Sequence, residues 1–316
     1  MPTFHSAGNV NFQKCAIIGA DPIGSAIAYT LMKTDWFSQL VLLDIDPSKA
    51  QLQSMNLSNA LPFHAPMTIY AGSYTDLSDA GIIVIAAGAS PSHHHTDEDL
   101  AKINVPLIRT IANNIAIYNP NAILLMVSAP IDTLTYTAYL ASDYPPSRVI
   151  GLGTLPDTAR LKQLLGKELE VDSRQVHALI IGAHGDHELA LWSYANISGI
   201  DLPDFCQQTH RDYHPDRLDL LFQELKDASR QLSHSSDAAC FAIAESVKRV
   251  ASAILRNENT ILPVSIPVSN LYGLNDLCIS LPCIINRLGI SRVLELPLSH
   301  SEQLQLQRSA LSVPLF

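Results

Sequence analysis

The sequence predicts an α/β fold in which a doubly wound parallel sheet is followed by an α+β region. In the first half, short uninterrupted runs of Val, Ile and Leu alternate with helical patterns. Such strands between helices are typical of a parallel sheet covered on both faces. After about Gly153 the alternation gives way to long helical runs and paired apolar strands. We therefore expect two domains, residues 1–153 and 154–316.

The elements of the first half follow one another in a regular order. The predicted strands are "CAIIG", "QLVLLD", "MTIYAG", "GIIVIAAGA", "AILLMVS" and "RVIGLG". Helices are expected from Pro22, around Ser48–Ala60 and from about Asp99 to Tyr118. This order of strands and helices predicts βαβ units.

The second half mixes helices with strands that are not separated by helices. A helix is expected at Asp157, followed by the strand "VHALIIG" and helical runs over about Arg217–Arg256. The segments "TILPVSIPVS" and "LCISLPCIINR" predict antiparallel strands, and a last helix is expected near Ser301–Ala310.

Composition excludes several classes of protein. Hydrophobic residues make up 47% of the chain and charged residues 16%, which predicts a large core and argues against disorder. The net charge of −10 argues against nucleic-acid binding, which needs a basic face. No apolar run is long enough to span a bilayer, and the N-terminus has no apolar signal core, so we expect a cytoplasmic protein. The five cysteines form no C-x-x-C pair, and we expect buried thiols at Cys15, Cys206, Cys240, Cys278 and Cys283.

The stretch "KCAIIGADPIGSAIAYTL" reads as a strand, a tight turn and a helix. Gly19 would allow the turn, and Gly24 would let the helix pack close to the strand. Asp44 closes the next strand, at the position where a carboxylate takes the ribose hydroxyls of NAD and repels the extra phosphate of NADP. The pattern favours a Rossmann-type, NAD-binding domain.

Asp21 replaces the middle glycine of this loop and is followed by Pro22. An Asp-Pro pair is a good N-cap and first helical residue, so Asp21 is interpreted as the helix cap. A capping carboxylate would occupy N–H donors that a pyrophosphate uses. Two like charges about 5 Å apart also repel by roughly 3 kcal/mol at an effective dielectric near 20.

Three polar residues form a candidate catalytic set. His184 lies in a Gly-rich turn after a buried strand in "IIGAHGDHELALWSYANISG". In "GTLPDTARL", Asp157 and Arg160 are three residues apart and share one face of a helix. A lone histidine is usually structural, but one in a strand-end turn with an Asp and an Arg available is a candidate general acid/base.

These segments resemble the L-lactate/malate dehydrogenase family, as do "GSYTDLSDAGIIVIAAGA", "VSAPIDTLTYTA" and "LYGLNDLCISLPCIINRLGI". The resemblance covers about Lys14 to Ala310 and is nearest to the L-lactate and L-2-hydroxyisocaproate branch. It implies NAD-dependent interconversion of a small 2-oxo acid and an L-2-hydroxy acid by a homo-oligomer, most simply a homotetramer.

The resemblance also implies residue roles. His184 would exchange a proton with the substrate, Asp157 would hold its imidazole, and Arg160 would clamp the substrate carboxylate. The positions that match cofactor contacts are Gly19, Ile23, Gly24, Asp44, Lys49, Tyr74, Gly88, Ala89, Val127 and Ser128.

Several positions depart from the family pattern. Asp97 stands where the family has an arginine that polarises the substrate carbonyl, and Ala129 stands where it has an asparagine. Ala239 replaces a pocket threonine, and Pro91 replaces the arginine of malate enzymes, which disfavours a dicarboxylate substrate. The run His93–His95 is either a solvated loop or a replacement cation, and it does not have the spacing of a metal site.

Two alternatives stay open at this point. Lys162 and His177 match positions where allosteric bacterial relatives bind fructose 1,6-bisphosphate, although ordinary surface charge explains them equally well. His184, Asp157, Arg160 and Asp44 favour an active dehydrogenase. The departures at Asp21, Asp97 and Ala129 favour a catalytically silent homologue with a structural or partner-binding role.

Overall fold

The computed structural model describes residues 10–89, 96–233 and 236–314. Six parallel strands form the first part of the fold, in the order β6-β5-β4-β1-β2-β3. They are β1 (Asn11–Ile18), β2 (Gln39–Leu43), β3 (Thr68–Ala71), β4 (Ala80–Ile85), β5 (Ile123–Met126) and β6 (Val149–Gly151). The order reverses direction between β1 and β4, which is the doubly wound topology expected from the sequence.

Four helices connect these strands. They are α1 (Pro22–Met32), α2 (Pro47–Ser58), α3 (Asp97–Tyr118) and α4 (Ile131–Ser142). Helix α3 begins two residues earlier than expected because Thr96 caps it: its hydroxyl accepts from the Asp99 N–H, and the Asp99 carboxylate accepts from the Thr96 N–H.

The second part of the chain continues the same sheet. Helix α5 (Leu155–Glu168) follows β6, and later three strands extend the sheet to nine: β12 (Thr260–Leu271), β13 (Leu274–Asn286) and β14 (Gly289–Val293). The two long strands pair antiparallel, as the sequence predicts. Strand β12 joins β6 where Ser265 faces Gly151, and a Cβ on Gly151 would lie 2.9 Å from the Ser265 Cβ. The small residue therefore permits this junction.

The expected strand "VHALIIG" is divided in two. Val176–His177 (β7) pairs with Asn196–Ile197 (β10), whereas Ile180–Ile181 (β8) pairs with Leu189–Ala190 (β9). A short strand, β11 (Ile200–Asp201), completes the small sheet. At the break, two threonine hydroxyls bond to the main chain of Ile180. Thr154, the N-cap of α5, and Thr158 of α5 supply those hydroxyls, so this segment is fixed to the start of the helix instead of to one continuous ladder.

The remaining helices complete the second part. They are α6 (Leu202–Gln208), α7 (Pro215–Ser233), α8 (Ser236–Leu255) and α9 (His300–Leu311). One apolar core follows the large sheet, and a smaller one lies between α5, α7 and the short strands. All five cysteines are buried, as expected. Within the described ranges, no helix is both long and apolar enough to cross a membrane.

Candidate active site

The candidate site is a cleft of about 190 Å³ at the carboxyl ends of β4 and β5. Its walls come from the loops after these strands, the start of α5, the turn at His184, and helices α7 and α8. The three predicted catalytic residues, Asp157, Arg160 and His184, all line this cleft. Ligands of open α/β sheets bind outside the carboxyl ends of the strands, so the cleft lies where a ligand is expected.

His184 and Asp157 form the closest pair of titratable groups in the cleft. The Nδ1 atom of His184 lies 2.9 Å from Oδ2 of the buried Asp157. The separation is that of a close ion pair. No other donor in the described part of the chain reaches that oxygen. The imidazole is therefore the group that Asp157 Oδ2 faces.

The charge of this pair sets the protonation of His184. Burial lowers the pKa of the imidazole, but the Asp157 carboxylate and, more weakly, Glu188 and Asp132 raise it to about 10. The His184 side chain is still 39% exposed, so its other edge opens to the cleft. His184 thus carries a proton at neutral pH and presents it to a ligand.

Two carboxyl groups around His184 were missed by sequence reasoning. Asp132 of α4 accepts from the His184 main-chain N–H at 2.8 Å and from the Ser265 hydroxyl, and burial raises the pKa of its carboxyl to about 6. Glu188 Oε2 lies 3.8 Å from His184 Nδ1, and burial raises the Glu188 pKa to about 8. The signals were available: Glu188 follows His184 by four residues, and Asp132 is an acid in an apolar segment.

Asp157, His184 and Glu188 also bring three ligand atoms within 4.8 Å of one another, an arrangement that could hold a metal ion. The closest two atoms are at hydrogen-bond distance, and one of the three groups is an imidazole with a raised pKa. Metal binding requires that imidazole to lose its proton. We therefore interpret the cluster as a proton-transfer group.

Arg160 lies beside this pair on α5. Its Nη1 donates to Ser229 Oγ of α7 at 2.5 Å, and the same hydroxyl donates to Asp157 Oδ1 at 3.1 Å. Arg160 is half-buried and lines the cleft. A guanidinium at this depth can bind a carboxylate through two parallel hydrogen bonds.

The glycine-rich loop has the backbone geometry predicted for it. Gly19 has φ +110°, and a Cβ there would lie 2.6 Å from the Ala86 carbonyl oxygen. A Cβ on Gly24 would lie 1.9 Å from the Gly19 carbonyl oxygen, so helix α1 packs directly on the loop. The Asp44 carboxylate accepts from the N–H groups of Ala20 and Asp46, which fixes it at the end of β2.

The interpretation of Asp21 as a side-chain cap is wrong. Asp21 occupies the N-cap position of α1 with extended backbone, but its carboxylate makes no capping hydrogen bond. Instead it forms an ion pair with Lys49 of α2. The reason is electrostatic: a cation within reach outcompetes a helix start that has Pro22 at its first position and so offers fewer N–H donors. The Asp21 carboxylate therefore leaves the first N–H groups of the helix unoccupied. Its negative charge remains at the loop and is partly neutralised by Lys49.

The other predicted cofactor positions divide between the cleft and its surroundings. Those that line the cleft are Ile23, Gly88, Ala89, Val127 and Ser128. The fully buried Asn104 of α3 holds two of the wall loops, since its amide bonds to Ala89 N and O and to Ala129 O. Tyr74 instead stacks on Tyr118, with ring centroids 6.3 Å apart, and is not part of the cleft wall.

Two of the positions that depart from the family pattern line the cleft, and a third interacts electrostatically with His184. Ala129 and Ala239 line the cleft with methyl groups. Asp97 is the first residue of α3; burial raises its pKa, and its charged neighbours include His184, Asp186 and His187. Pro91 and His93–His95 lie outside the described residues.

The two possible effector residues lie away from the cleft. Lys162 of α5 is half-buried, and its pKa is lowered by burial and by Arg249. His177 is exposed on β7. Arg249 is itself paired with Glu258, so the positive charge that this spot offers an anion comes mainly from Lys162.

Comparison with known proteins identifies the family of this site. The family profile of the lactate/malate dehydrogenase NAD binding domain matches residues 13–151, and that of the alpha/beta C-terminal domain matches residues 154–312. The chain belongs to the lactate/malate dehydrogenase family. The expected resemblance and α/β fold class are thereby confirmed, and the first domain is an NAD-binding domain.

Relatives of this lactate/malate dehydrogenase family member cover nearly its whole length. An L-lactate dehydrogenase of Acetivibrio thermocellus is 40% identical over 96% of this chain and 95% of its own. One of Gloeobacter violaceus is 40% identical over 94% of this chain and 90% of its own. These relatives support a lactate-type, NAD-dependent oxidoreductase, as the sequence predicts.

Solved structures of the family superpose closely on this one. A lactate dehydrogenase from a Medee basin deep-sea metagenome library has a TM-score of 0.88 and 36% identity, covering 94% of this chain and 95% of its own. The minor L-lactate dehydrogenase of Enterococcus mundtii, in a ligand-bound form, has a TM-score of 0.88 and 30% identity, covering 94% of each chain.

The residues present fit a nicotinamide dinucleotide. Gly19 and Gly24 leave no room for side chains at the turn, and Asp44 is fixed by main-chain N–H groups at the end of β2. The cleft continues from this turn to His184. The Asp21–Lys49 ion pair is the one feature at the turn that departs from the usual glycine loop.

Proposed function

We propose that this dehydrogenase interconverts a small 2-oxo acid and the corresponding L-2-hydroxy acid, as an L-lactate dehydrogenase does. The observation that carries the proposal is the joint position of His184, Asp157 and Arg160 in one cleft, with Nδ1 of His184 2.9 Å from Asp157 Oδ2. An acid/base group and an anion clamp that line one cavity suit a substrate that carries a carbonyl next to a carboxylate.

In this proposal the residues of the chain bind, orient and protonate the substrate. Arg160 clamps the substrate carboxylate through its guanidinium fork. The cofactor, when bound, would supply the hydride for the carbonyl carbon. His184 gives its proton to the carbonyl oxygen, which becomes the hydroxyl, and Asp157 stabilises the charged imidazole before that transfer. In reverse, His184 accepts the hydroxyl proton.

Apolar side chains enclose the reacting end of the cleft. Ile23, Val127 and Ile131 line it together with the methyl groups of Ala129 and Ala239. We propose that a small aliphatic side chain of the substrate lies against these groups. Their exclusion of water would strengthen the interactions of Arg160 and His184 with the substrate.

We propose that the cofactor is contacted by the residues at the glycine-rich turn and along the cleft, with Tyr74 as a more distant member. These residues are Gly19, Ile23, Gly24, Asp44, Lys49, Gly88, Ala89, Val127 and Ser128. The fixed carboxylate of Asp44 supports a preference for NAD over NADP, since it would repel a 2′-phosphate.

Further properties are proposed from the family. We propose a homotetramer and a domain division at residue 153. We also propose a cytoplasmic location, which the burial of all five cysteines supports. We also propose that Lys162 and His177 bind an anionic effector, and the half-buried ammonium group of Lys162 supports this proposal.

A second candidate function is a silent homologue that keeps the fold. The observation in its favour is Asp97, which stands where the family has an arginine and whose carboxylate interacts electrostatically with His184. Losing one oxyanion donor costs about 10²–10³ in rate, and Ala129 removes a second.

The test is NADH oxidation followed at 340 nm with pyruvate, 2-oxoisocaproate and oxaloacetate. We expect turnover with the first two and little with the dicarboxylate. His184→Ala should abolish it, whereas His64→Ala, remote from the cleft, should leave it unchanged. A parent protein that reduces none of these substrates would favour the silent homologue. Equal turnover in the parent and His184→Ala would contradict the acid/base assignment.

A further inference from the structure

Ser229 connects the two functional halves of the cleft. It lies on α7, opposite α5, and its hydroxyl accepts from Arg160 Nη1 at 2.5 Å while donating to Asp157 Oδ1 at 3.1 Å. Asp157 in turn faces His184 through its other oxygen, Oδ2. One hydroxyl thus bridges Arg160, the anion clamp, and Asp157 of the acid/base pair.

The spacing of these two charges would allow a direct contact. An Asp and an Arg three residues apart on one helix face are neighbours and can form an ion pair. Among the described residues, the ion-pair partners of Asp157 include His184 but not Arg160. Ser229 satisfies one donor of the guanidinium and one acceptor of the carboxylate, so both charges are stabilised without contacting each other.

The geometry assigns Ser229 as a positioning residue that holds Arg160 towards the substrate and leaves the charge of Asp157 to His184. This inference rests on the proposed function. Without the Ser229 hydroxyl, Arg160 would turn towards Asp157 and pair with it directly. The clamp would then lose its orientation, and the imidazole would lose part of the negative charge that holds its proton.

The test compares the parent with Ser229→Ala, which removes the hydroxyl, and Ser229→Thr, which keeps it. Ser58→Ala is the matched control, because the Ser58 hydroxyl also makes two hydrogen bonds, to main-chain carbonyls remote from the cleft. We expect Ser229→Ala to raise KM for the 2-oxo acid by about tenfold, and kcat to fall less. Ser229→Thr and Ser58→Ala should each have the same KM as the parent.

A second readout needs no catalysis and no cofactor. NMR titration of the His184 imidazole should give a lower pKa in Ser229→Ala than in the parent and in Ser229→Thr. The charged groups that face this imidazole are otherwise the same in all three proteins: Asp157, Glu188, Asp132 and Asp97. A role of Ser229 in helix packing alone would not move this titration.

The outcomes separate the two proposals. A parent without turnover would contradict the proposed function, and the titration would still test Ser229. An unchanged His184 titration in Ser229→Ala would overturn the inference, as would a Ser229→Thr variant that behaves like Ser229→Ala. If the alanine variant does not fold, the threonine variant must still match the parent in both KM and titration, and a deviation in either would contradict the assignment.

Discussion

Lys49 forms an ion pair with Asp21 at the centre of the glycine-rich loop. The pair joins the start of α1 to the start of α2, beside the carboxylate of Asp44. A carboxylate at this position meets the pyrophosphate of a dinucleotide as a like charge. The lysine reduces that repulsion, and both side chains remain over a third exposed, so solvent screens the pair further.

Replacing Asp21 should therefore tighten cofactor binding. We expect Asp21→Gly to lower the Kd for NADH by about tenfold, because a repulsion of one to a few kcal/mol is removed. Calorimetric titration measures the effect. Asp79→Asn is the control, since Asp79 also pairs with a lysine but directly precedes β4. It therefore lies at the amino end of that strand, away from the carboxyl ends where the glycine-rich loop lies. Equal affinity in Asp21→Gly and the parent would mean that the carboxylate points away from the phosphates.

Lys49→Ala should have the opposite effect. Without its partner, Asp21 would present its full charge to the cofactor, and we expect weaker NADH binding. In the Asp21→Gly, Lys49→Ala double variant the carboxylate that Lys49 neutralises is absent as well, so most of that loss should disappear. A double-mutant cycle measures the coupling. Additive effects of the two changes would show that the pair does not act as a unit.

The reaction should depend on pH through His184. Its pKa is raised to about 10, so the protonated form needed for 2-oxo acid reduction persists at neutral pH and is lost as the pH approaches 10. Glu188→Gln removes a carboxylate near Nδ1 and should move the alkaline limb of the kcat/KM profile to lower pH. Identical profiles in the parent and Glu188→Gln would contradict this contribution of Glu188.

The ionisation of Asp132 should lower the free energy of unfolding as the pH rises from 4 to above 6. Burial raises its pKa from 3.8 to about 6, so its stabilising contribution is complete below pH 3.8 and is lost as the pH rises through 6. The loss amounts to about 3 kcal/mol at neutral pH. Asp132→Asn has no such titration. Urea unfolding of both proteins should show the variant gaining relative stability between pH 4 and pH 7. A constant difference across this range would contradict the burial argument.

Restoring the family's oxyanion donors should raise turnover. Asp97→Arg places a cation near His184, and Ala129→Asn adds an amide in the cleft wall. We expect the double variant to raise kcat by about tenfold or more, with little change in NADH affinity. Asp97→Asn, which only removes the charge, separates relief of repulsion from added stabilisation. A kcat no higher than that of the parent would indicate that another group already stabilises the oxyanion.

The sequence predicted the parts of the site that depend on local pattern. The strand-turn-helix at Gly19, the end of β2 at Asp44, and the shared helix face of Asp157 and Arg160 follow from residue spacing. The continuity of the nine-stranded sheet did not, since Ser265 and Gly151 are far apart in sequence and meet only in the fold.

Long-range side-chain contacts account for the remaining differences. Ser229 and Asn104 carry no local signal, because a serine or asparagine within a helix is common. Their importance comes from partners on other elements. The preference of Asp21 for Lys49 over a capping bond likewise depends on how α1 and α2 approach each other. Sequence spacing alone contains none of these distances.

Binding of NADH to the unmodified protein tests the central claim most directly. Calorimetric titration at neutral pH and moderate ionic strength measures it without requiring turnover or a chosen substrate. The account predicts saturable binding at one site per chain with a Kd below about 100 μM, weaker for NADPH because of Asp44. Absent or millimolar binding of NADH would contradict it.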